Sequence, residues 1–237
     1  MENAEIAKGI CTGIRQRESA DVLSSGTDEI VTLYHGSKAG IRGSIAPISR
    51  KRCDFGKGFY MGTERAQPLT LICNYPNARI YTLRVDLTDL KILDVEAGLD
   101  WALLIAYNRG KMESVKDSAI YKRFADLSES YDMIIGDIAN DRMFVVLDRF
   151  FHGEITDMAL INSLSALKLG KQYAALTEKA CKKVVILDEQ ELTWQDCDKL
   201  KQESEANRSK GIAMADEICR KYRREGRFFD EILKAGK

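Results

Sequence analysis

The chain predicts an α+β fold, strands and helices mixed through one body and ending in a helical extension, and three observations predict it. Residues 79–86 (RIYTLRVD) alternate apolar and polar side chains as a half-buried strand does, while residues 29–35 (EIVTLYH) and 183–187 (KVVIL) are rich in β-formers. Residues 100–108 (DWALLIAYN) read instead as a buried helix. From Asp188 onward the chain is strongly charged and has no β pattern, so its last stretch reads as helical.

Residues 1–28 form a polar N-terminal extension ending in the loop-like SSGTDE; within it residues 4–17 predict a short helix, because Ile6, Ile10 and Ile14 fall four apart on one face. Residues 29–35 are the first strand, and the Gly, Ser and Pro content of residues 36–52 makes a long loop. Residues 63–75 suit a helix, with Thr63 at its N-terminus and Pro68 tolerated in the first turn, its positive end turned toward Gly56 and Gly58. After the strand at 79–86, residues 91–95 predict another, followed by the helix at 100–108, capped near Gly110, and an amphipathic helix at 119–127. Residues 131–135 are a short apolar run, hence a central strand, with GDIANDR (136–142) as its C-terminal loop, and residues 142–151 fit helix or strand on pattern alone. Residues 172–176 predict a strand, 178–181 a helical turn, 183–187 the last strand, and 191–209 and 213–234 two closing helices.

Length and charge bound the function. With 237 residues, 45% of them hydrophobic, the chain has room for a core and for one or two domains, divided as 1–28, 29–188 and 189–237. Lys plus Arg and Asp plus Glu are 36 each, so no global field recruits nucleic acid or an acidic membrane. No apolar run approaches the roughly 18 residues of a membrane span, and the N-terminus lacks a signal peptide's apolar stretch, so the expectation is a cytoplasmic protein with no membrane partner. Six scattered cysteines without a C-x-x-C pair, and only two histidines, predict reduced thiols and no metal site.

Two short stretches carry the chemistry. In DFGKGFYMGT (54–63), Phe55, Phe59 and Tyr60 surround Gly56 and Gly58, whose missing Cβ atoms let the chain bend tightly or lie close to a flat ligand beside a ready aromatic surface. LYHGS (33–37) is a strand-like approach ending at His35 and Gly36. Spaced about 25 residues apart, these two resemble the first two motifs of the ADP-ribosyltransferase superfamily, the FGKGFY form being similar to its poly(ADP-ribose) polymerase branch. With YDMIIGDIANDR (131–142) and QYAALTEKA (172–180) they resemble, in the same order, the bacterial domain-of-unknown-function family DUF3990 over roughly residues 31–188.

The resemblance implies a split pair of antiparallel sheets around an NAD cleft, with helices at 142–151 and 155–167 among its decorations. It implies NAD as substrate, with no metal. His35 would bond the adenosine ribose, the Gly36 backbone would pair with the nicotinamide carboxamide, and Tyr60 would pack on the nicotinamide ring. Leu71 stands where the polymerase branch has a second aromatic, and Ser37, Phe55, Gly58, Thr63 and Asn140 complete the implied cofactor-binding set. Gln172 stands where transferases of the superfamily usually place a glutamate, so His35, Tyr60 and Gln172 are the implied catalytic positions. Glutamine keeps a hydrogen bond but loses the charge, and cannot act as a general base. Glu178, Asp137 and Asp141 are the carboxylates at hand; Asp137, Asn140, Asp141 and Arg142 fit a plain turn as well as a pyrophosphate or acceptor contact. The expected activity is mono-ADP-ribosyl transfer from NAD to a macromolecular acceptor, protein or nucleic acid, of the kind associated with toxin-antitoxin or delivered effector proteins. The alternatives are NAD glycohydrolase activity and a non-catalytic NAD-binding module. The apolar stripe of the closing helices is a candidate surface for a partner or antitoxin protein.

Overall fold

The computed structural model describes residues 14–17, 29–138, 141–166 and 170–236. Strands β1 (Ile14–Arg17), β2 (Ile30–Ser37), β3 (Phe59–Gly62), β4 (Arg79–Asp86), β5 (Ile92–Val95), β6 (Met133–Asp137), β7 (Lys171–Ala175) and β8 (Val184–Glu191) form one eight-stranded sheet in the order β1-β5-β6-β7-β3-β2-β4-β8. Eight α-helices accompany it among the described residues: α1 (Ala66–Ile72), α2 (Leu99–Asn108), α3 (Ala119–Glu129), α4 (Asp141–Phe151), α5 (Asp157–Ser165), α6 (Glu178–Lys182), α7 (Trp194–Lys221) and α8 (Phe229–Ala235). The architecture is therefore mixed α and β.

The sheet is less divided than two separate antiparallel layers would be. Its ladder runs unbroken from β1 to β8, and β5 pairs with β6 in parallel, because α2 and α3 lie between them in sequence and supply the long crossover that a parallel pair requires. A seam nevertheless exists. β2 pairs with β4 over all eight of its residues, but with β3 only at Tyr34↔Gly62, so the halves β1-β5-β6-β7-β3 and β2-β4-β8 meet at a single pair.

The apolar filling is divided by the faces of the sheet, Leu93, Ile134 and Ala174 belonging to one core and their strand neighbours Ile92, Ile135 and Ala175 to the other. One core gathers Trp101 to Ala106 of α2 with Phe124, Leu147, Phe150, Leu160 and the α8 residues Phe229, Ile232 and Leu233. The other gathers Leu33, Phe59, Tyr81, Leu83, Val85 and Ile135. Ser118, Thr156 and Thr177 cap α3, α5 and α6 by accepting the backbone N–H three residues on, which fixes where these helices start.

Two element expectations are corrected. Residues 14–17, read as the end of an N-terminal helix, form β1 and pair antiparallel with β5, Ile14↔Val95 to Arg17↔Ile92; pairing with a sheet edge overrides the four-residue isoleucine spacing, and residues 4–13 lie outside the described residues. The closing helices do not break at residues 209–213: α7 runs through Gly211, a residue whose helix penalty is only about 1 kcal/mol, and packs on α5, α1 and α4. The chain turns instead at Gly226, where φ is +85°. The remaining helices and strands agree with the sequence pattern within a few residues, except that β3 forms inside the glycine motif, where no strand is expected; β8 extends past the expected 187 to Glu191, and residues 142–151 are helical.

Candidate functional site

The seam between β2 and β3 is where the sequence motifs meet. His35 leaves β2 and donates from Nδ1 to the Tyr60 carbonyl at 2.6 Å, with its ring stacked on Phe59 at a centroid distance of 4.3 Å. Because that carbonyl can only accept, the Nδ1 proton is fixed and Nε2 is left as an acceptor. Burial pushes the imidazole's pKa below its ordinary 6.5, against the opposing pull of the Tyr60 carbonyl, so the ring stays neutral at pH 7.

Tyr60 uses its hydroxyl within the loop that precedes it. The Oη donates to the Gly56 carbonyl at 2.7 Å and accepts from the Phe55 N–H at 3.0 Å. Burial drives the phenol's pKa far above its usual value, so it neither ionises nor acts as a base, and its ring is the part left to meet a ligand. Gly56 makes this closure possible: its φ of +83° is the left-handed region, and the Asn108 side-chain oxygen would stand 3.0 Å from any Cβ there. Gly58 donates to Ser49 Oγ at 3.0 Å, and Ser49 N–H returns a bond to the Gly58 carbonyl, so the 36–52 loop braces the glycine turn.

Strand register sets the third position. Gln172 of β7 stands opposite Gly62 on one side and Gly136 on the other, and alternation along β3 places Tyr60 on that same face. His35, one residue from Tyr34, projects with Phe59 from the opposite face of the sheet. Gln172 is buried, and its Nε2 donates to Asp54 Oδ2 at 3.3 Å and to the Asp137 carbonyl at 3.5 Å. Asp54 is in turn held by Arg109, which reaches one carboxylate oxygen with both Nε, at 2.9 Å, and Nη2. The Arg109 guanidinium lies over the Phe144 ring, 3.7 Å from its centroid. Charge, absent from Gln172 itself, thus stands one hydrogen bond behind it.

The other expected residues divide. Phe55 is 1% exposed and lies in the core, its ring tip 2.5 Å from where a Cβ of Gly136 would be, so it supports the site from beneath instead of lining it. Gly36 lies under α1, where the Pro68 carbonyl would meet a Cβ at 2.9 Å. Ser37 ends β2 opposite Arg79. Thr63 is tied to Lys171 through both its hydroxyl and its N–H, each at 2.9 Å, extending the β3–β7 ladder. Leu71 faces solvent from α1, 58% exposed, whereas Tyr75 beyond that helix is a half-exposed aromatic with the Lys38 ammonium 4.2 Å above it. Asn140 lies outside the described residues, as do the side chains of Asp141 and Arg142.

Among the carboxylates, Glu178 is excluded by position. It follows Thr177, whose hydroxyl bonds Asp132 just before β6, whereas Gln172 faces Gly136 near the end of β6, about 13 Å further along at the rise of a strand. The Asp137 carboxylate is occupied by the Ala97 N–H at 2.6 Å and Lys171 Nζ at 3.4 Å. Asp54 and Arg109 are the residues that sequence reading missed. Asp54 begins the glycine motif and was legible there; Arg109, 55 residues on, left no local signal. Among the described residues no group of His, Cys, Asp and Glu side chains could hold a metal, the five described cysteines are unbridged, and no helix is long and apolar enough to cross a membrane.

Neither the curated proteins nor the solved structures gave a match to this chain. The model of a family described as "Protein of unknown function (DUF3990)" matches residues 31–185, a span from β2 into β8 that contains all four sequence motifs and well over half the chain. The chain therefore belongs to the DUF3990 family.

Proposed function

We propose that this protein is a mono-ADP-ribosyltransferase that uses NAD as substrate and a macromolecule as acceptor. The observation that carries the reading is that His35, Tyr60 and Gln172 all lie beside the one place where the sheet is joined by a single residue pair, Tyr60 and Gln172 on one face and His35 on the other. NAD is an elongated molecule with a ribose at each end, and the seam offers it two separated sets of groups. On one side the neutral His35 has a free acceptor nitrogen for a ribose hydroxyl. On the other, Tyr60 offers a ring and Gln172 an amide close to a carboxylate.

In this reading the bond between the ribose C1 and the nicotinamide nitrogen breaks with its electron pair leaving on nicotinamide, now neutral. The acceptor's oxygen or nitrogen supplies the pair for the new bond at C1, and its proton passes to solvent. Positive charge builds on the ribose during the step, so negative charge held nearby favours the transition state over bound NAD. A second reading, a binding module without turnover, is favoured by the neutrality of Gln172 alone.

Incubation of the protein with NAD labelled in its adenylate portion, with and without lysate of its source, separates these. The expected outcome is free nicotinamide together with label in protein or nucleic acid. Nicotinamide without transferred label would make it a glycohydrolase. NAD binding with neither signal would leave the binding module, and no binding at all would sink the NAD reading.

A further inference from the structure

We infer that Asp54 is a positioning residue that locks the Gln172 amide with its oxygen outward, so that a neutral side chain presents a pure acceptor, backed by a fixed carboxylate, to a ligand hydroxyl. The inference rests on the NAD reading, in which the group received is the 2'-hydroxyl of the ribose that bears nicotinamide, the hydroxyl next to the C1 where positive charge builds.

The argument is one of donors and acceptors. Two groups face the inner end of Gln172, the Asp54 carboxylate at 3.3 Å and the Asp137 carbonyl at 3.5 Å, and both only accept. Turning the amide over would set three oxygens against one another, so Nε2 must face inward and spend both hydrogens there. Oε1 then points away; it has no hydrogen bond to the described residues and is not among their sealed, unpartnered polar atoms. Gln172 therefore cannot donate to a ligand and accepts only. Asp54 cannot swing aside to release it, because Arg109 grips its other oxygen; their side chains are only 12% and 18% exposed. A carboxylate bonded to the amide nitrogen draws positive charge toward that nitrogen and leaves Oε1 more negative, as linked hydrogen bonds polarise each other at low dielectric. The Asp54–Gln172 pair can thus serve a developing cation on the ribose without a carboxylate touching the substrate.

Three variants test the lock: Asp54→Asn, Gln172→Glu and the double substitution. Gln172→Glu should lower the Tm, because it sets a carboxylate against Asp54. The double variant should recover most of that loss, since an asparagine amide can donate to the new glutamate. Asp54→Asn should lower kcat for nicotinamide release at least tenfold while KM moves less than threefold, because the freed amide still touches the ligand but loses its charge and its orientation. Wild type should bind NAD about five- to tenfold tighter than the analogue lacking the nicotinamide-ribose 2'-hydroxyl, and Asp54→Asn should bring that ratio toward one. A Gln172→Glu protein as stable as wild type, or an Asp54→Asn protein with unchanged kcat and unchanged discrimination, overturns the inference. A wild type that neither binds NAD nor releases nicotinamide overturns the NAD reading instead, and the Tm pattern of the three variants still decides whether Asp54 locks the amide.

Discussion

His35 and Tyr60 show how burial assigns a residue its chemistry. The imidazole is desolvated and its pKa lies below 6.5, so protonating it costs more in the folded protein than in the unfolded chain. Below pH 6.5 the unfolded state therefore binds more protons than the native one, and acid favours unfolding. The stabilisation is complete above about 6.5 and is lost as pH falls from there toward the lowered native pKa. Urea unfolding at pH 7.5 and 5.5 should show a larger loss of stability in wild type than in His35→Gln, in which this term is absent; parallel losses would mean that the imidazole titrates normally. Tyr60→Phe tests the other residue. It keeps the ring but leaves the Phe55 N–H without its 3.0 Å acceptor, which should cost about 1–3 kcal/mol in unfolding free energy. NAD affinity should fall far less than in Tyr60→Ala, because the ring is the part facing a ligand; equal losses by calorimetry would place the hydroxyl, not the ring, at the ligand.

At the scale of elements, the glycine turn is a device for aiming Tyr60, and its parts were unequally visible in the sequence. The crowding of aromatics and glycines in residues 54–63 pointed to a special backbone, and the positive φ of Gly56 is that backbone. Gly56→Ala should destabilise by about 1–2 kcal/mol and loosen the Tyr60 Oη bond to the Gly56 carbonyl, read as a lower Tm together with weaker NAD binding. A Tm unchanged by this substitution would show that the turn relaxes freely. What the sequence hid were contacts between distant segments. Asp54 meets Gln172 across 118 residues and Arg109 across 55, and periodicity within a window of 11–18 residues cannot register either. The same blindness explains β1: isoleucines four apart describe a helix face locally, but residues 14–17 answer to the open edge of β5. The parallel β5–β6 pair was in principle readable, because two helical segments separate those strands.

At the scale of the molecule, the charged C-terminal stretch reads from composition as an arm that could be removed, and the packing argues otherwise. Phe229, Ile232 and Leu233 of α8 are each 5% exposed or less and share a core with Trp101 and Phe150; the Phe229 ring centroid lies 5.3 Å from that of Phe150 and 5.4 Å from that of Phe151. The turn that delivers α8 is fastened as well. Asp157 at the start of α5 accepts the Arg227 N–H at 2.8 Å and donates its own N–H to the Arg227 carbonyl at 2.9 Å. Deleting residues 222–237 would therefore uncover the face of α4 bearing Phe150 and leave the Asp157 carboxylate without one of its donors. Phe229→Ala alone should cost about 3–5 kcal/mol, a large fraction of the roughly 5–15 kcal/mol that holds a domain folded. The deletion should abolish the cooperative unfolding transition altogether, measured by circular dichroism and by resistance to a protease. A truncated chain that still melts cooperatively and binds NAD as wild type does would make α8 a separable appendage, and would return its apolar side to the role of a surface awaiting a partner.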